Sequence, residues 1–403
     1  MSKKQLAMVK TQVPEGYKQT EVGVIPVTWN VSNLGKFVLL QRGHDLTHRD
    51  RKQGNVPVMG SAGQNGFHDT ALVKSPGVVI GRSGASFGQA HYCEQDFWPH
   101  NTALYVTDFL DNDRLYAFYF LKSIDFSRHN SGGAQQSLNR NFIAPIPIAI
   151  PPLAEQNLIA RALSDTDALI ESLEQLLAKK RQIKQGAMQE LLRSKDTWDK
   201  EEIRNILTLI MDYRGRTPKK LGMEWGGGDI RALSAGNVKR GWIDFEAEAY
   251  FASEALYQKW MTQGVTKEND ILVTTEAPLG NIAIIPDSKK YILSQRVISL
   301  RTDPQIINSK YLYHYISSEI FQELLKKDSS GSTATGIQRL KLEKILIAFP
   351  SLAEQQAIAT ILSDMDLEIG AIETKLTKAR QLKQGMMHEL LTGKIRLIDK
   401  GNT

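Results

Sequence analysis

Two kinds of hydrophobic pattern alternate along this chain. Short apolar runs fill 21–150 and, more loosely, 196–349; in the first region they include FVLL (37–40), VPVMG (56–60), GVVIGR (77–82), TALYVT (102–107) and FIAPIPIAI (142–150). Clusters of Gly, Pro, Asn and Ser separate them, which predicts short strands joined by irregular loops. One helical stretch, RLYAFYFLKS (114–123), interrupts the first region. A different pattern follows each region. In the later copy Ile358, Ile361, Met365, Ile369, Ile372, Leu376, Ala379, Met386 and Leu390 recur mostly every three or four residues. That is the stripe of a long amphipathic helix packing against one partner helix. Ile170, Leu173, Leu177 and Leu191 hold equivalent positions in the earlier copy. Ser351 followed by Glu354 forms a capping-box start just after Pro350, and Gly393 stands where a C-terminal glycine would end the helix. Asp165 and Asp167, like Asp364 and Asp366, leave open whether each helix kinks.

The two helical stretches are copies. Residues 151–195 align with 350–394 without a gap at an offset of 199, with 25 of 45 positions identical. A self-match of that length governs the fold. About 40 residues give roughly 60 Å of helix, and neither copy can bury its stripe alone, so an antiparallel coiled coil acting as a spacer is expected. The β regions echo each other faintly: Thr28-Trp29 with Thr197-Trp198, GRSGASFG (81–88) with TTEAPLG (274–280), YAFYFLKS (116–123) with YLYHYISS (311–318), and SGGAQQSL (131–138) with GSTATGIQRL (331–340). The expected fold is α+β: two mostly β domains separated by two long antiparallel coiled-coil helices, with a pseudo-twofold internal repeat. Its segments are an N-terminal arm (1–20), a domain (21–150), a helix (151–195), a second domain (196–349), a second helix (350–396) and a tail (397–403).

Composition narrows the class only a little. Fifty Lys and Arg against 44 Asp and Glu give a net charge of +6, a mild bias toward a polyanionic partner. A single cysteine, Cys93, excludes an intrachain disulfide and a cysteine-built zinc site. The opening MSKKQLAMVK has no apolar signal core, and no apolar run approaches the length of a membrane span. A soluble, cytoplasmic protein is expected.

The opening P-x-L-A-E-Q of each helix, its closing K-Q-G-x-M-x-E-L-L and the duplicated globular–helix order resemble the specificity subunit of type I restriction–modification systems, over essentially the whole chain. The resemblance implies that each globular part is a target recognition domain reading one half of a bipartite double-stranded DNA site. It implies that 151–195 and 350–394 form the spacer and dock methyltransferase (modification) subunits, two of them expected. Those subunits would in turn recruit the restriction (translocase) subunits. S-adenosylmethionine, ATP and magnesium would belong to the partner subunits, with no cofactor in this chain. Recognition domains diverge freely, so no base-contacting residue transfers by motif.

The residues themselves agree that the chain is no enzyme. GSTATGI (331–337) has Ile337 where a phosphate-binding loop needs Lys, and GRSGASFG lacks the dinucleotide spacing. His388-Glu389 lacks the second histidine of a zinc protease, no methyltransferase motif is present, and a nuclease pairing of Pro286-Asp287 with 373–375 is improbable because the latter sits on the helical stripe. Nothing joins Ser137, His44 and Asp45 into a triad. The competing readings are a coiled-coil interaction scaffold without a DNA role, which does not account for two β domains with basic loops, and a stand-alone nuclease.

Groove reading needs Arg or Lys for guanine, Asn or Gln for adenine, and loops that can enter a groove. Four loop pairs qualify: 41–52 with 212–220, 60–66 with 233–241, 82–89 with 274–281, and 131–136 with 331–338. The expected base contacts are Arg42, His44, Gln64, Asn65 and Arg82 in the first domain, and Arg214, Arg216, Asn237 and Gln295 in the second. Lys52, Lys219, Lys220, Lys239 and Arg240 are expected on phosphates. Metal-binding residues are not expected.

Overall fold

The computed structural model describes residues 13–130, 136–327, 329 and 336–397. The chain divides into two compact units, Met1–Glu174 with Thr374–Thr403, and Gln175–Glu373. The units therefore do not follow the linear segments expected from sequence. Each takes one β domain, half of the helix that leaves it, and half of the other helix.

In the first unit an antiparallel sheet runs in the order Leu39–Arg42, Ala103–Asp108, Gly77–Gly81, Ala90–Cys93. Val78, Val79 and Ile80 are all fully buried; a continuous apolar run suits a strand covered on both faces. A second sheet orders Gly63–His68, Val56–Gly60 and Trp98–Pro99, the last two parallel. Asn30–Asn33 pairs with Pro147–Ile150 just before the helix begins. The helix Arg114–Ser123 lies where its sequence predicts, because the Asp113 carboxylate accepts from the Tyr116 amide. Its Tyr116 and Phe120 join Trp29, Leu34 and Phe37 in the core.

Two boundaries differ from expectation. Tyr17–Thr20 is a strand paired to Gly23–Pro26, not part of a loose arm; Gly23, at φ +107°, permits the tight turn between them. The run FIAPIPIAI is not one strand. Asn139 caps a helical turn over Arg140–Ile143, and extended pairing resumes only at Pro147–Ile150.

The second unit repeats the plan. Its four-stranded sheet is Leu207–Asp212, Val297–Thr302, Ile271–Thr275, Leu279–Ile284, and its three-stranded sheet Phe251–Ala252, Ile230–Leu233, Tyr291–Leu293 again ends in a parallel pair. Asp199–Glu202 pairs with Leu346–Phe349. Additional residues build the helices Glu254–Trp260 and Glu319–Lys327 and a separate apolar cluster around Met211, Tyr213, Trp260 and Ile292.

Leu153–Leu191 and Leu352–Leu391 are unbroken helices, so the aspartates interrupt neither. Their capping matches the sequence: the Ser351 hydroxyl accepts from the Glu354 amide, and Gly393 closes the second helix at φ +71°. The helix partners are antiparallel and repeat in both units. Arg380 donates to Glu174 in the first and Arg181 to Glu373 in the second, each at 2.6 Å. Lys383 with Asp167, and Lys184 with Asp366, form the next pair. Every residue here maps onto its counterpart by the offset of 199. Most of the predicted stripe is buried or half-buried, but Ile361 is exposed and Leu362 is fully buried in its place. Helical turns of four residues from Ile358 reach Leu362 rather than Ile361. Leu390 and Leu391 enter the core of the first unit, and Leu192 that of the second. Among the described residues no helix is long and apolar enough to cross a membrane.

The motif glutamines fasten helix to domain. Buried Gln156 accepts from the Asp113 amide and donates to Asn112 and the Pro151 carbonyl. Gln355 does the same with the Asn308 amide, the Ile306 carbonyl and the Pro350 carbonyl. The A-E-Q sequence is thus a clip between the start of a long helix and the cap of a neighbouring helix.

Candidate nucleic-acid interface

Strand register sets the two domains in correspondence. Arg42 lies opposite Leu104, itself opposite Ile80; Asp212 lies opposite Ile298, itself opposite Val273. Arg42 therefore corresponds to Asp212, His44 to Arg214, and Arg82 to Thr275. The same loops gather at the same sheet edge in each domain.

In the first domain that edge is a concavity of about 550 Å³ whose lining includes Arg42, His44, Asp45, Arg82, Asn139 and Arg140. Main-chain bonds hold it: the Arg82 amide donates to the Thr102 carbonyl, and the Leu138 amide to the Arg82 carbonyl. The Ser61 hydroxyl donates to the Ser83 carbonyl and ties in the 60–66 loop. Arg42 is exposed and lies 3.8 Å from Asp45, a contact of little strength at such exposure. His44 is half-buried, 3.4 Å from the Tyr105 hydroxyl and edge-on to Trp98. Arg82 gives one bond to the Asn101 carbonyl. Three guanidinium groups converge here with donors to spare, an arrangement that can meet phosphates or guanine edges.

Gln64 and Asn65 lie on the strand Gly63–His68, not on a loop as expected. Gln64 is exposed. Asn65 accepts from both terminal nitrogens of Arg51, at its main-chain and side-chain oxygens, so its acceptors are already engaged. Lys52 is exposed, 3.9 Å from Asp69.

Arg214 is the most tightly held candidate. Its Nε and one terminal nitrogen grip Asp212 at 2.9 and 2.6 Å, and the other terminal nitrogen reaches the Thr275 hydroxyl at 3.3 Å. Burial works against ionising Asp212, yet the Arg214 bonds and charge hold its carboxyl below the usual range. Arg216 stacks on Tyr213 at 5.1 Å and donates to the Trp260 carbonyl and the Thr262 hydroxyl. Gln295 is exposed and lines a pocket beside Arg216. Lys219 and Lys220 are exposed in the turn Pro218–Leu221, where Lys220 donates to the Gly215 carbonyl. Lys239 lies 4.0 Å from Asp244.

Asn237 and Arg240 depart from expectation. Asn237 is fully buried: its oxygen accepts from the Ser234 amide and hydroxyl, and its nitrogen reaches the Asp244 and Glu248 carbonyls. It shapes the loop and cannot reach a base. Arg240 lines a different cavity, shared with Trp242, Lys310, Tyr313 and Glu319. Residues 131–135 and 331–335 of the fourth loop pair lie outside the described residues. Sequence reasoning missed Arg140, although L-N-R (138–140) and I-Q-R (337–339) stand at matching places after that loop.

Cys93 is buried, which pushes its thiol up to about 12 and keeps it protonated. Among the described residues no group of His, Cys, Asp and Glu could hold a metal ion.

A family model described as the type I restriction modification DNA specificity domain matches twice, over residues 26–184 and 195–381. The type I restriction enzyme MjaVIII specificity subunit of Methanocaldococcus jannaschii is 28% identical over 304 residues, covering 71% of each chain. A putative type I restriction enzyme specificity subunit of Haemophilus influenzae is 22% identical over 347 residues, covering 83% of this chain and 86% of its own. In fold, the chain is similar to the S subunit of a type I restriction–modification system from M. genitalium, with a TM-score of 0.62 and 15% identity; the match covers 90% of this chain and 96% of that one.

Proposed function

This chain belongs to the type I restriction–modification DNA specificity family, a family of non-catalytic recognition subunits, and from that premise we propose a division of labour within it. Each β domain reads one half of a bipartite duplex site through the loops at its sheet edge. The helix pair fixes the unread gap between the halves and docks methyltransferase subunits, two per chain, which recruit the restriction subunits. S-adenosylmethionine, ATP and magnesium act in those partners, and the complex works in the cytoplasm.

The observation carrying this reading is the convergence of corresponding loops at one edge of both domains, each with arginines and each with different residues at matching positions. Arg42, His44, Arg82 and Arg140 read in the first domain; Arg214 and Gln295 read in the second, where Arg216 is held by its own domain. Two half-sites on one face of the duplex lie about 34 Å apart per helical turn, within reach of helices of roughly 60 Å. A scaffold without a DNA role gives no reason for the arginines at both edges.

The test is Arg214→Ala in the complete complex. A good bidentate contact discriminates by about 1–3 kcal/mol, so the variant relaxes one half-site roughly 5- to 150-fold and leaves the other intact. Loss at the other half-site, or at neither, rejects the assignment. Duplex binding must also weaken with salt; salt-independent binding would favour the scaffold.

A further inference from the structure

The second domain carries a feature that contacts to base edges in a groove do not explain. Beside the Arg216 loop lies a pocket of about 420 Å³ whose lining includes Arg216, Trp225, Ser234, Glu248, Tyr250 and Gln295. Tyr250 is stacked on Trp225, with ring centres 5.2 Å apart and planes within 10°, and Trp225 packs in turn on Trp260 at 5.3 Å. This pile holds the Tyr250 ring in place, yet Tyr250 remains 61% exposed.

We propose that this pocket takes one unstacked nucleobase of the bound DNA, a proposal that rests on the second domain reading a half-site. In a duplex the faces of the bases are covered by their neighbours, and the grooves offer only edges and backbone. A braced aromatic face therefore suits a base that has left the stack. The polar lining fits the edge of a base better than a phosphate. The Arg216 guanidinium is committed to the Trp260 carbonyl and the Thr262 hydroxyl. Glu248 and Gln295 are exposed, and neither side chain has a hydrogen-bond partner among the described residues. A carboxylate repels phosphate but accepts from the exocyclic amine of cytosine or adenine. The amide beside it both donates and accepts. In the first domain Asn101, at the position matching Gln295, donates to Asp45 instead.

Extruding a base costs least when it is already mispaired. The complete complex is therefore titrated with duplexes carrying a single mismatch at each position of the second half-site in turn. Wild type is expected to bind one mismatched duplex at least about tenfold more tightly than the matched site. Tyr250→Ala should abolish that gain and Tyr250→Phe should keep it. The exposed ring makes either variant compatible with folding, which intact reading of the first half-site verifies. A gain that survives Tyr250→Ala belongs to another subunit and overturns the proposal, as does the absence of any gain while the matched site is still read. Tyr250-dependent binding of free nucleoside monophosphates without a mismatch effect would also overturn it, assigning the pocket to a free nucleotide. Loss of half-site reading altogether in wild type would instead sink the functional reading beneath it.

Discussion

Tyr119 and His314 occupy matching places on matching helices, and each faces its own copy of the same helical repeat. In the first unit the Tyr119 hydroxyl donates to Asp167 at 2.8 Å, and Lys383, which also bonds Asp167, lies over the Tyr119 ring. In the second unit His314 reaches the Ser363 hydroxyl at 3.2 Å, while its other ring nitrogen has no hydrogen-bond partner among the described residues and lies 3.9 Å from Asp366. The helix residues are the same in both copies; the domain residue is not. A repeat can thus keep its helix–helix contacts while each domain replaces what it presses against them. The starts of the two long helices diverge in the same way. Glu155 is buried, accepting from the Trp29 indole and from two nitrogens of Arg396. Its counterpart Glu354 is more exposed and meets Lys195 at 3.0 Å, and the Trp198 indole N–H has no hydrogen-bond partner among the described residues.

The largest consequence concerns Arg396. Removing one partner of a buried pair strands the other, which costs about 3–5 kcal/mol. Arg396→Met should lower stability by that amount in chemical denaturation. A loss under about 1 kcal/mol would mean that Glu155 finds another partner and that the two helix starts are energetically alike.

A mid-sized effect separates the units by pH. Burial, together with the Lys184 and Lys310 charges, lowers His314 to about 3. Above the ordinary histidine value of about 6.5 the ring is neutral folded and unfolded, so pH has no effect. Below it the unfolded chain binds a proton that the folded chain refuses, and stability falls by about 1.4 kcal/mol per pH unit until about pH 3. By about pH 5 the loss is about 2 kcal/mol. His314→Tyr, which copies the Tyr119 arrangement, should flatten this slope in melting curves. An unchanged slope would show that another group causes it.

The smallest effect is at Lys195. Lys195→Met removes a solvent-exposed pair and should cost no more than about 1 kcal/mol. A cost equal to that of Arg396→Met would erase the distinction between the buried Glu155 and the more exposed Glu354.

The helical repeat was legible because it is written in contiguous residues with a fixed period. The order of strands was legible too, from apolar runs and from echoes such as YAFYFLKS and YLYHYISS. The reading edges were legible as loops but not residue by residue. Asn237 and Gln295 look alike in sequence, yet one is spent inside its own turn and the other is exposed. Asn65 was lost to Arg51, fourteen residues earlier. Trp225, Tyr250 and Trp260 meet only through tertiary packing, and nothing local announces their pile. Arg396 looked like the end of a helix and is instead the partner of a residue near the start of the other one.

The spacer claim is tested most directly by length. Inserting one heptad at matching points in Leu153–Leu191 and Leu352–Leu391 adds about 10 Å of coiled coil without disturbing its stripe. Sites methylated by the complete system are then mapped. The account predicts the same two half-sites separated by a gap longer by up to about three base pairs. The same half-sites at the original gap would contradict it.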